Sequence, residues 1–295
     1  MKGRPGTGPS TGALPIPRDG RAAGLPGRFI GSKLGVLGLV MVAAVFLVAV
    51  FAPLVAPMDP SDQNLRNTLA SPSSQHWFGT DDLGRDQLSR VIYGSRLALA
   101  VGFAAVPVAF LIAVTLGSVA GFLGRTWDTV IMRVADMFYA FPSLIALMLI
   151  VLLVGRGLPS VVLAIWIFGW VTMARVLRAS ILSIRDAQFV EAARAMGASS
   201  FRIVTRHILP NTLGPVVVMA TVRIGTAVVA LAGLSFLGIG VEPGSTDWGS
   251  MIAAGHKFYG VKDYLWLFPS LALSFSVLGF VFVGDGLRDA LDPRL

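Results

Sequence analysis

Apolar residues fall into six blocks separated by polar segments. The blocks run at about Leu34–Ala52, Leu97–Phe122, Val134–Val154, Ser160–Ala174, Thr212–Ile239 and Tyr264–Gly284. A helix needs ~20 apolar residues to cross the hydrocarbon core. The fourth block is the shortest, but its uncharged stretch from Gly157 to Ala174 is just sufficient. Each block is read as a helix rather than a strand, because in lipid a helix satisfies every backbone group internally. Pro107 and Pro142 lie inside blocks, where neighbouring helices can absorb a kink. The expected fold is an all-α membrane protein with six transmembrane helices.

Charge places the ends. With the N-terminus inside, the inner segments hold 16 Lys and Arg and the outer segments 7. The positive-inside bias therefore predicts that both termini are cytoplasmic. The same bias accounts for a net charge of +8 without a nucleic-acid partner. Only 14% of the 295 residues are charged, against about a quarter in soluble domains, which agrees with a chain largely out of water.

Residues 1–33 carry eight Gly, five Pro and six Lys/Arg. Such a segment buries too little apolar surface to offset chain entropy, and it is read as a disordered basic cytoplasmic tail. Residues 34–295 form the membrane domain. A cleaved signal peptide is disfavoured, because the 19-residue block at Leu34–Ala52 exceeds the 7–15 residues of a signal's apolar region. Cysteine is absent, which excludes disulfides, thiol nucleophiles and cysteine metal sites.

Two polar segments carry more than connection. The stretch Asp81 to Arg96 reads as an amphipathic helix outside the membrane, with Asp86 and Arg90 paired at i, i+4. Residues 178–211 form the longest inner loop. Within it Phe189 to Met196 has good helix propensity, and Gly197 suits the left-handed position that ends a helix. Ser199 or Ser200 can cap a following helix, and Pro210 marks where that helix stops. The product is a helix–turn–helix between the fourth and fifth spans, lying outside the bilayer.

Glu191-Ala192-Ala193, then Gly197, then Ile208-Leu209-Pro210 resembles the EAA loop of ABC importer permeases. Three further stretches resemble the peptide/nickel group: Phe78-Gly79-Thr80-Asp81-Asp82-Leu83-Gly84-Arg85-Asp86, Ala232-Gly233-Leu234-Ser235-Phe236-Leu237-Gly238 with Trp248-Gly249, and Gly284-Asp285-Gly286-Leu287-Arg288-Asp289. The similarity covers roughly Leu34 to Arg294, and the tail and long first outer loop resemble the second permease of such systems. The resemblance implies an inner-membrane permease domain over 34–295 and a coupling helix that docks on an ATPase through Phe189, Glu191, Ala192, Ala193, Arg194 and Gly197. It also implies a second permease, two nucleotide-binding subunits and an extracytoplasmic binding protein. Di- or oligopeptides are the expected cargo, with nickel chelates or glutathione as alternatives.

No G-x-x-x-x-G-K-[ST] loop occurs, so ATP and Mg belong on partner subunits and the chain is not itself an enzyme. Phe141, Arg223 and Ser235 are the candidate substrate-pathway residues. Arg223 is the strongest of them, because an intramembrane charge defaults to a functional role. Asp136 is expected to reach the inner interface. An ion-coupled carrier using Asp136 and Arg223 is the rival class, disfavoured by the lack of an internal repeat. Asp81, Asp82 and Asp86 lack the spacing of a calcium loop and are read as capping and orienting residues. The three histidines are unclustered, and no metal site is expected.

Overall fold

A computed structural model describes residues 25–242 and 244–291. Among these residues regular structure is helical, apart from one isolated bridge between Thr80 and Asp86. The elements are α1 (Leu25–Gly31), α2 (Lys33–Val50), α3 (Ala52–Val55), α4 (Gln87–Ser118), α5 (Arg125–Tyr139) and α6 (Ser143–Val154). They continue with α7 (Leu158–Ile184), α8 (Gln188–Ala195), α9 (Ser200–Ile203), α10 (Leu209–Phe236), α11 (Trp248–His256) and α12 (Tyr264–Leu291). Five helical stretches are long and apolar enough to cross a membrane, and the number is six when the bent pair α5–α6 counts as one span.

Several expectations are corrected. The block at Val134–Val154 is two helices, α5 and α6, bent by 85° at Ala140–Pro142. Pro142 is the cause: it has no N–H for the helix ladder and becomes the residue that caps α6. The outer amphipathic helix is not separate, since α4 starts at Gln87 and runs without interruption into the second span. Pro210 does not stop a helix. It lies in the first turn of α10, and a π-helical turn at Val204–Ile208 joins α9 to α10. There the wider ring and two side chains take up the carbonyls: Asn211 Nδ2 donates to His207 O at 2.7 Å and Thr212 Oγ1 to Ile208 O at 3.0 Å. In addition, α11 forms in the polar segment between the fifth and sixth blocks, with Asp247 accepting from the Ser250 N–H at 3.1 Å as its N-cap. The segment read as a tail is helical from Leu25; its residues 1–24 lie outside the described part.

Both ends of the described chain lie at one end of the bundle. Ser32 at the start of α2 donates to Asp289 near the end of α12 at 3.3 Å. An even number of crossings requires this. Long helices approach through small residues, as expected where lipid supplies no hydrophobic drive between helices. A Cβ on Gly38 of α2 would stand 2.6 Å from Phe282 of α12, and one on Gly117 of α4 would stand 2.8 Å from the Ala174 carbonyl of α7.

At the opposite end, residues 53–86 and α11 form a polar cap. Asp81 accepts from the Leu83 and Arg85 N–H groups at 3.0 and 2.9 Å and from Arg85 Nε at 2.7 Å. Asp86 caps α4 through Ser89 N at 2.8 Å and meets His76 Nδ1 at 3.0 Å. The expected Asp86–Arg90 pair does not form. Arg90 turns to Asp81, Nε to Oδ2 at 3.6 Å, because the cap's own turn brings that carboxylate closer. Trp266 Nε1 and the Gly260 N–H both donate to Asp263 at 2.9 Å and hold its carboxyl below the usual carboxylate range.

Several motif residues act here as spacers. Trp248 lies against Gly94, its indole N–H donating to Val91 O at 2.9 Å, and Gly249 lies directly on the Ala232 carbonyl. Replacing Gly249 with Val should overpack this contact and cost about 1–3 kcal/mol. The expected outcome is a lower unfolding temperature of the detergent-purified chain, and an unchanged temperature would contradict the assigned packing.

Candidate functional site

Buried apolar side chains divide into two clusters along the bundle axis. The outer one includes Val45, Leu99, Leu147, Val161, Val228, Trp248 and Phe280. The inner one includes Ile131, Met173, Leu177, Ile181, Val190, Ala193, Ile203, Ile208 and Val216. The inner cluster contains residues of α8 and α9, so the helix–turn–helix is rooted in the bundle rather than hung from it.

The local sequence explains the hairpin. Helix α8 ends at Ala195; Gly197, at φ +79°, follows, and the Gly197 and Ala198 N–H groups return to Arg194 O at 3.0 Å and Ala193 O at 3.1 Å. These are the two hydrogen bonds of a Schellman C-cap, for which a residue without Cβ is best suited. Ser199 then caps α9 by accepting from Arg202 N at 3.4 Å. Val190 and Ala193 are fully buried beneath α8. Glu191, Ala192 and Arg194 are exposed, as is Phe189, and Met196 and Phe201 stand out at 80% and 79% exposure. Of the six candidate coupling residues, Ala193 is therefore a packing residue that also closes the C-cap, and it is not available to a partner. Met196 and Phe201 were not singled out from the sequence. Their signal was two large apolar side chains in a loop expected to face water.

Two ion pairs brace the hairpin's root. Arg178 of α7 grips Asp128 of α5 through two guanidinium nitrogens, Nε to Oδ1 and Nη2 to Oδ2, the latter at 2.6 Å. Asp136, expected only to reach the interface, is paired with Arg175 at 2.6 Å, and Arg175 also lies 5.0 Å from the centre of the Tyr139 ring. Asp136 is thus engaged in an ion pair.

Midway along the bundle a cavity of about 310 Å³ opens between α4, α6, α7 and α10. Leu147 of the outer cluster and Met173 of the inner one both line it, so it lies at their junction. Arg223, fifteenth of the 28 residues of α10, points into it together with Thr226. The guanidinium Nη2 donates to Thr172 Oγ1 at 2.9 Å. The other two sequence candidates are elsewhere. Phe141 lies exposed at the α5–α6 bend and does not line the cavity. Ser235 is buried against Gly240, and its hydroxyl has no hydrogen-bond partner among the described residues. Of the Gly-Leu-Ser stretch, Gly233 lines the cavity, while Leu234 and Ser235 are buried at the outer end of α10.

Comparisons with known proteins place this architecture. Residues 113–295 match the family described as binding-protein-dependent transport system inner membrane component, and residues 27–72 match the N-terminal TM domain of oligopeptide transport permease C. The chain is 42% identical to the dipeptide transport system permease protein DppC of Alkalihalophilus pseudofirmus, over 90% of this chain and 87% of that one. It is 39% identical to the oligopeptide permease OppC of Bacillus subtilis, over 91% and 88%. It is also 40% identical to the glutathione permease GsiD of Escherichia coli, over 91% and 89%. Among solved structures, a methionine ABC transporter, MetNI, in an inward-facing conformation shares the fold at TM-score 0.57 and 21% identity, over 69% of this chain and 96% of that one.

Asp128→Asn should loosen α5 from α7. Because the chain has no cysteine, a spin label at Trp127→Cys reports on α5 alone. The label should gain mobility in the Asp128→Asn background. A double-mutant cycle with Arg178→Gln should give a coupling of roughly 1 kcal/mol, the range of partly exposed pairs. Unchanged label spectra would argue against the brace.

Proposed function

This chain belongs to the family of binding-protein-dependent transport inner membrane components, and on that premise we propose that it is the second permease subunit of an ATP-driven importer for di- or oligopeptides. It is a multi-pass protein of the bacterial inner membrane. The observation that carries the mechanistic part is the α8–α9 hairpin: its root is packed into the inner cluster while its tip offers Phe189, Glu191, Ala192, Arg194, Met196 and Phe201 to water.

Such a surface suits a groove on another protein. Phe189, Met196 and Phe201 supply apolar area, the small Ala192 permits close approach, and Glu191 and Arg194 fix orientation. A cytoplasmic ATPase subunit that binds this tip in one nucleotide state more tightly than in another shifts the permease between its two conformations. A rooted hairpin passes that shift into α5, α7 and α10 instead of absorbing it. ATP and Mg are held by two such subunits. A second permease covers the open side of the cavity, where Leu144 and Val229 are exposed, and an extracytoplasmic binding protein delivers substrate to the polar cap. Peptide cargo rests on the names of the similar permeases; the glutathione permease among them is itself a peptide carrier by chemistry.

Gly197→Pro should abolish the C-cap, because proline cannot adopt φ +79°. Glu191→Arg should reverse the one acidic contact at the tip. In the complete transporter each is expected to lower peptide uptake at least ~10-fold, the loss of a charge-assisted contact, with insertion and subunit stoichiometry intact. Normal uptake by both variants would overturn the coupling assignment.

A further inference from the structure

Helices α7 and α10 carry three arginines, and two of them are neutralised within the chain. Arg175 has Asp136 and Arg178 has Asp128. Arg223 has a hydroxyl, Thr172 Oγ1, and no carboxylate among the described residues within ion-pair distance. It is also the one that projects into a cavity, whose remaining walls are mostly apolar: Val106, Leu147, Ile165, Phe168 and Met173. A guanidinium half removed from water beside such walls is costly unless an anion completes it.

Resting on the importer reading above, we infer that Arg223 is a substrate-selecting residue, which receives the carboxylate of a peptide in transit. The geometry suits a passing ligand. One guanidinium edge is steadied by Thr172, which fixes the fork without neutralising it, and a planar fork accepts a carboxylate through two parallel hydrogen bonds. Thr226, three residues on, also lines the cavity and offers a hydroxyl there, although its Oγ1 donates to Arg223 O at 3.0 Å. The apolar walls take uncharged side chains of any shape. Cavity volume admits a small peptide segment rather than a folded one. A resident aspartate, as on Arg175 or Arg178, would have quenched the charge, whereas a hydroxyl leaves it free to bind and release, as conduction requires. The same carboxylate chemistry could be supplied by an acidic side chain of the second permease, and the test separates the two sources.

The experiment uses the full transporter in liposomes, with trialanine and trialanine amide as probes, in wild type and in Arg223→Gln, Arg223→Lys and Thr172→Val. The binding protein is common to all, so any change in the acid-to-amide uptake ratio arises in the permease. Arg223→Gln is expected to cut uptake of the free acid about tenfold, the worth of a charge-assisted hydrogen bond, and to leave the amide nearly unchanged. Arg223→Lys should restore part of the loss, and Thr172→Val should move the ratio in the same direction by less. Equal loss of both probes, together with lost ATPase stimulation, would mean that Arg223 pairs with a partner subunit and would overturn the proposal. So would an unchanged ratio in every variant. Failure of the wild-type complex to import either probe would bring down the peptide reading first, and the carboxylate assignment with it.

Discussion

Lipid gives helices no hydrophobic reason to associate, so this bundle depends on backbones coming close enough for dispersion contacts to accumulate. Small residues make that possible. Gly38 lets α2 settle onto α12 beside Phe282, Gly35 faces Gly286 of the same pair, and Gly117 admits the Ala174 carbonyl of α7. Removing the side chain at these points is what allows helices of 18 to 32 residues to lie together along their length. Everything functional is positioned by that contact: the cap at one end, the hairpin at the other, and a cavity where packing stops.

The division of the core gives the fold its mechanical character. Outer and inner clusters are each well packed, and the cavity with Arg223 lies where they meet. Val190, Ala193, Ile203 and Ile208 commit the hairpin to the inner cluster, and Arg178–Asp128 ties α5 to the same body. A load applied at Phe189 or Met196 is therefore delivered to the cavity's inner wall. The α5–α6 bend at Pro142 places a natural discontinuity beside that wall. In the importer proposed above, this arrangement is the route by which a nucleotide-binding partner drives the chain.

The spans were legible in the sequence because the bilayer tolerates few alternatives; five of the six apolar blocks became continuous helices. The third block broke at Pro142, whose missing N–H interrupts the helix ladder. The hairpin was legible too, since Gly197 and Ser199 are strong local signals at the right spacing. What escaped was tertiary. Asp86 and Arg90 sit four apart, yet Asp81 takes the arginine because the cap's turn brings it nearer. Ala193 and Ser235 were recognised within their motifs, but no spacing rule reveals that one faces the core and the other Gly240. Arg223 could be found from its depth alone, whereas its partner Thr172, 51 residues earlier, could not.

The central claim is that the hairpin and the inner half of the bundle move as one body. It is tested most directly by spin-label distances in the complete transporter between Met196→Cys at the hairpin tip and Leu123→Cys at the inner end of the π-helical turn Val119–Leu123 that follows α4. The account predicts the same distance in nucleotide-free and ATP-trapped complexes, while a Met196→Cys to Leu153→Cys pair, which crosses the α5–α6 bend, changes. A hairpin that shifts against Leu123 between the two states would contradict it.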